Sequence, residues 1–177
     1  MEIKAKCKFD FASVKALMHL TMFKKSNPKK QMIFQSAIFL ILLAADIAAV
    51  VISGATLPLM ILLGIGVFFI SLWYILYFTL PRIRYNALAN FKEAENAYVF
   101  CDDFLKVSTA GREYSGEAKI EYSFLVKAYE TSKYIFLYQT KDQIYIVDKS
   151  TIEGGTADDI RNKLTAFLKD KYFVCRY

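Results

Sequence analysis

Histidine occurs once in these 177 residues, at His19, and cysteine three times, at Cys7, Cys101 and Cys175, never as a C-x-x-C pair. With a single histidine there is no second ring to complete a zinc triad or a Ser-His-Asp set. Three scattered thiols supply neither a disulfide framework nor a zinc cluster, so they read as reduced and packed. Neither G-x-x-x-x-G-K-[ST] nor G-x-G-x-x-G is present, which leaves no standard phosphate cradle. Gly154-Gly155-Thr156 precedes a helix, but Asp158 and Asp159 occupy its first turn and would repel an anion. Only three prolines and seven glycines occur, too few for a low-complexity linker. No catalytic constellation, metal site or cofactor is therefore expected, and the chain reads as non-enzymatic.

What the chain has in abundance is apolar surface: 55% hydrophobic residues and 16% aromatics, alongside 23% charge. Such a mixture points to two solvents in one protein. Two runs, 32–53 and 57–80, carry most of the apolar excess and are separated by a break around Ser53-Gly54-Ala55-Thr56-Leu57-Pro58. As helices they would reach roughly 33–36 Å, enough to cross a hydrocarbon core about 30 Å thick. The expectation is a transmembrane hairpin over 31–81.

The net charge of +6 is confined to one place. Residues 1–30 hold eight lysines and two acids, whereas 31–97 and 98–177 are each neutral. A nucleic-acid binder would carry its basic patch on the folded domain, so nucleic acid is not an expected partner. Positive charge beside a span reports orientation instead. Lys24, Lys25, Lys29 and Lys30 before the first span, with Arg82 and Arg84 after the second, flank a loop without charge. Both termini are then cytoplasmic in a multi-pass membrane protein, with the six basic residues against lipid headgroups. Trp73, Tyr74 and Tyr77 fit an aromatic belt near the inner surface. A cleaved signal peptide, the competing reading, sits poorly with a charged leader of thirty residues and a second span close behind.

Asp46 is the one formal charge inside the spans. An acid at the bilayer centre costs about 3 kcal/mol on insertion scales, so it should face protein or water. Gln35, Asp46 and Ser53 are separated by eleven and seven residues, which puts them within about 20° of one line on a helix. Folding the pair about residue 55 sets Asp46 level with Gly64 and Phe39 level with Ser71, small residues able to receive a polar stripe. A hydrogen bond between helices or subunits, proton or ion coupling, and a partner helix are the alternatives for this acid.

Outside the spans the periodicity changes. Ile3–Phe9 alternates as a strand, Asp10 offers an N-cap, and Phe11, Val14, Met18 and Met22 fall at helical spacing. That helix either lies in the membrane interface or packs on the later domain, and Pro28 stops it. A connecting helix is expected over 82–97. Beyond it, 98–101, 104–109, 113–122, 125–130, 134–139 and 143–147 read as strands, the third with a wet odd face and a packed even one. Thr156 with Asp159 approaches a capping box for a helix over 156–169, with Ile160, Leu164, Phe167 and Leu168 on its apolar side. Residues 172–175 read as a last strand that pairs with the first.

The order of these elements, with Ala118-Lys119-Ile120-Glu121-Tyr122-Ser123-Phe124-Leu125-Val126-Lys127-Ala128-Tyr129-Glu130, Tyr134-Ile135-Phe136-Leu137-Tyr138 and Tyr145-Ile146-Val147-Asp148-Lys149, resembles the YcxB-like family of bacterial membrane proteins. The resemblance implies a cytoplasmic domain similar to the pleckstrin-homology barrel, plugged by its C-terminal helix, and carries over no functional residue. The expected fold is an α+β membrane protein: a two-helix hairpin plus a small β-rich domain over 98–177. Its expected role is to hold a lipid- or protein-binding domain at the cytoplasmic face. The alternative is an accessory or immunity-type protein whose hairpin binds another membrane protein or a membrane-active peptide. Membrane lipids, another membrane protein and a second copy of the chain are the expected partners.

Overall fold

The computed structural model describes residues 2–23, 28–54, 57–88, 94–111 and 115–175. The chain is α+β and divides into two compact units, 19–84 and the combination of 1–18 with 85–177.

The first unit is helical. Helix α2 (Pro28–Ser53) and helix α3 (Leu57–Tyr74) are joined at Gly54, whose φ of +70° is a left-handed conformation open to glycine. Gly54 N–H closes the end of α2 by donating to the Val50 carbonyl at 2.7 Å. Pro28 opens α2 rather than ending the helix before it, because its missing N–H is unneeded in a first turn. The second expected span does not stop at Leu80. A π-helical turn (Ile75–Thr79) leads into helix α4 (Leu80–Ala87), and Leu80 N–H donates to the Ile75 carbonyl five residues back. That widened turn accommodates Pro81, which cannot donate and would crowd the carbonyl four residues before it. The segments 33–52 and 60–87 are both long and apolar enough to cross a membrane. Ile33, Phe34, Val51 and Ile52 are all exposed.

The second unit begins with strand β1 (Ile3–Lys8); helix α1 (Phe11–Phe23) follows, and the boundary between the units falls within it, after Met18. Asp10 caps α1 as expected: its Oδ1 accepts Ser13 N–H at 2.8 Å, and its own N–H donates to Ser13 Oγ at 3.1 Å. The expected apolar stripe is buried only in part: Val14 is buried and Met18 half-buried, but Phe11 and Met22 at its ends are exposed, while Ser13 and Leu20, off the stripe, are buried. The helix expected over 82–97 is too long, because strand β2 (Glu95–Phe100) already includes Glu95 and Asn96.

Strands β3 (Phe104–Ala110) and β4 (Ser115–Glu121) complete an antiparallel sheet ordered β1-β2-β3-β4. Strands β5 (Lys127–Glu130), β6 (Tyr134–Tyr138), β7 (Ile144–Asp148) and β8 (Tyr172–Val174) form a second sheet ordered β7-β6-β5-β8. Tyr98, Phe100, Leu105, Val107 and Ile120 of the first sheet are buried, as are β6 throughout and Ile160, Leu164 and Leu168 of helix α5 (Ala157–Leu168). Among the described residues the two sheets do not close into a barrel. The chain ends do not pair either. β1 lies on β2, and β8 runs parallel to β5 with Ala128 opposite Tyr172. Phe173 stacks on Tyr129 with centroids 5.0 Å apart, a contact that holds this three-residue strand on β5.

Candidate functional site

Three places merit functional scrutiny: the face between α2 and α3, a buried carboxylate, and an open groove. Gln35, on the expected polar stripe, accepts a hydrogen bond from Trp73 Nε1 through its Oε1. The Phe39 ring covers Gly66, where an added Cβ would collide with the ring carbons. Gly64 is exposed and a Cβ there would meet nothing within 4 Å, so it is not the close approach. The two glycines stand about 200° apart on one helix, and facing Gly66 to α2 turns Gly64 outward. Ser71 is exposed as well. Asp46 is half-buried, and its Oδ2 is buried with no hydrogen-bond partner among the described residues.

Of the expected headgroup residues, Lys30, Arg82 and Arg84 are exposed. Lys24 and Lys25, with the side chains of Lys29 and Ser53, lie outside the described residues.

The carboxylate is Glu130, at the end of β5 on the same buried parity as Ala128, with its side chain 2% exposed. Arg161 grips it with two bonds of 2.7 Å, from Nε to Oε2 and from Nη2 to Oε1. Lys149 Nζ donates to Oε1 at 2.7 Å, and the Tyr172 hydroxyl donates to Oε2 at 2.7 Å. Four segments of the chain thus meet at one acid. Burial pushes its carboxyl up, but the Arg161, Lys149 and Tyr172 donors outweigh burial and hold it down at about 2. Burial raises the Tyr172 hydroxyl, and Glu130 raises it further. Every oxygen of Glu130 is occupied, so the cluster joins elements and offers no vacancy to a substrate. An acid on the inward parity of a strand was the signal for it in the sequence.

Thr156 and Asp159 form a full capping box at the start of α5, with Asp159 N–H donating to Thr156 Oγ1 at 3.2 Å and Thr156 N–H to Asp159 Oδ2 at 2.8 Å. At Gly155 a Cβ would lie 2.9 Å from the Ile3 side chain, which makes this glycine a packing requirement. The three cysteines are buried, and burial followed by Asp148 pushes the Cys7 thiol up to about 12.

The groove, about 330 Å³, opens between the 3-10 turn Tyr122–Phe124 and the 3-10 turn Lys169–Lys171. Tyr122 is not a strand residue. Its hydroxyl donates to the Cys101 carbonyl at 2.8 Å and its ring lies 5.3 Å from that of Phe167. Phe167 is not core: it is 44% exposed, and Phe124 at 64% and Val126 at 50% are exposed as well. Three consecutive apolar residues, 124–126, exceed what an alternating strand can bury, and Leu125 alone of them is inward. Lys169, Asp170 and Lys171 form the opposite lip, with Lys169 at φ +48°, an unusual conformation for a non-glycine residue. Among the described residues no group of three His, Cys, Asp or Glu side chains is arranged to hold a metal ion.

The family model described as YcxB-like protein matches residues 102–164, the stretch from the β2–β3 turn into α5. No curated protein and no solved structure matches the chain.

Proposed function

We propose, from the premise that residues 102–164 belong with the YcxB-like family, that this chain is a non-enzymatic bacterial membrane protein holding a small lipid-binding domain at the cytoplasmic face. Helix α2 and the α3–α4 helix span the bilayer as a hairpin with both termini inside. Lys24, Lys25, Lys29, Lys30, Arg82 and Arg84 meet anionic headgroups, each worth about 1 kcal/mol near the surface. The two sheets and late helix of the β-rich unit support reading it as pleckstrin-homology-like, the fold that the family resemblance implies. The observation that carries the reading is exposed Phe167 at a groove whose lip carries Lys169 and Lys171, with exposed Phe124 and Val126 flanking the groove residue Leu125 in the chain. Aromatic rings entering the acyl boundary with lysines at the phosphates are the chemistry of an interfacial contact.

The test is the full chain with Phe124→Cys carrying a polarity-sensitive dye, reconstituted into phosphatidylcholine vesicles with and without phosphatidylglycerol. The dye is expected to shift to the blue and become quenchable by lipid-borne quenchers only with the anionic lipid, and Lys169→Gln with Lys171→Gln should abolish the shift. A dye at 124 as wet as one at exposed Ser108 would overturn the reading.

The second reading, a hairpin that binds another membrane protein, is favoured by the buried, unbonded Oδ2 of Asp46. Under it, Asp46→Asn inserts normally but loses a protein crosslinked to the wild type in native membranes. Equal recovery of that protein with the variant would remove this reading.

A further inference from the structure

We infer that β4 is a self-pairing edge: two copies of the chain join antiparallel about Ala118, merging their first sheets into one of eight strands. β4 ends the order β1-β2-β3-β4 and pairs with β3 on one side. All of its residues except Ile120 are exposed, including Gly116 and Ala118 on the core-facing parity expected to be packed. The opposite edge of the sheet is guarded. Lys4 exchanges two backbone bonds with Glu153, and Thr151 Oγ1 both accepts from Lys6 N–H and donates to the Lys6 carbonyl.

Charge selects the occupant. On the outer face Lys119 lies opposite Lys106 of β3, and that row continues through Val99 to Lys4, three lysines without an acid. Like charges directly opposite each other are destabilising, and here Lys119 and Lys106 share the face of the Phe104 ring at 4.0 and 5.8 Å. An acid across the free edge would balance the row. Pairing about Ala118 puts Glu117 of each copy opposite Lys119 of the other, twice, with Gly116 opposite Ile120 on the core face. A slide of two residues in either direction sets Glu117 against Glu121 and Lys119 against itself, or Glu117 against itself. A slide of four toward the C-terminus pairs Lys119 with Glu121 but overlaps only three strand residues. Alternating charge on an edge normally repels foreign strands, and this pattern admits its own copy.

The experiment oxidises the full chain bearing Ala118→Cys in native membranes. Residues facing across a twofold axis of an antiparallel pair have Cα atoms about 4.5–5.5 Å apart, within disulfide reach. A disulfide dimer is expected to form about tenfold faster than with Ser108→Cys, which lies one strand further from the axis. In the Ala118→Cys background, Lys119→Glu should slow dimer formation about tenfold by turning both attractive pairs repulsive. That variant also relieves Lys106, so its unfolding midpoint should not fall and a lost dimer is not lost folding. Adding Glu117→Lys to Lys119→Glu should restore the rate to within about twofold. Equal rates for positions 118 and 108, no slowing by Lys119→Glu, or no rescue by the double swap would each overturn the proposal.

Discussion

Replacing Glu130 by alanine is expected to destabilise the β-rich unit by about 3–5 kcal/mol, close to the whole stability of a small domain. The loss exceeds that of the bonds themselves, because Arg161, Lys149 and the Tyr172 hydroxyl would be left facing a partnerless pocket. Glu130→Gln keeps one acceptor oxygen and should fall between the variant and the wild type. The measurement is urea unfolding of the detergent-solubilised chain followed by near-ultraviolet tyrosine dichroism. The wild type should also show a pH signature. A carboxyl held at about 2, against 4.5 when unperturbed, contributes stability that is complete above pH 4.5 and is lost as pH falls toward 2. The loss should reach about 3 kcal/mol and be missing from Glu130→Ala. An alanine variant within 1 kcal/mol of the wild type, to order of magnitude, would show that Glu130 does not join these elements.

Gly66→Leu should open the contact between α2 and α3. A Cβ at position 66 falls inside the Phe39 ring, so the ring must leave its seat or the helices must separate. Overpacking of this kind costs about 1–3 kcal/mol. Crosslinking of Gln35→Cys to Trp73→Cys by a short bismaleimide reads the contact directly, since these side chains meet across the pair. The yield is expected to fall about tenfold in Gly66→Leu, equivalent to 1.4 kcal/mol. Gly64→Leu should leave it unchanged, because that position has nothing within 4 Å. Equal losses at 64 and 66 would show that the observed facing of α3 is wrong.

Glycine spacing illustrates where sequence reasoning reaches its limit. Folding two apolar runs about a midpoint pairs residues by depth alone, and depth pointed to Gly64. Rotation about the helix axis selected Gly66, and rotation is set by where a ring such as Phe39 finds room. The apolar residues of α5 show the same limit on a smaller scale: Ile160, Leu164 and Leu168 are buried as their spacing implies, while Phe167 beside them lines a groove. Helical phase identifies a side of the helix but not how far the neighbouring elements extend along it.

The sequence by itself determined the two long apolar helices, the break at Gly54, the parity of most strands and both helix caps at Asp10 and Thr156. Each follows from interactions among residues a few positions apart, where apolar period, backbone freedom and side-chain reach suffice. Only the tertiary structure decided that Glu130 meets Arg161 and Tyr172, 31 and 42 residues away, and that β8 joins β5 instead of β1. It also decided that, among the described residues, β4 pairs on one side alone. Those outcomes depend on which distant segments come to share a pocket or a sheet edge, and no local periodicity encodes that choice.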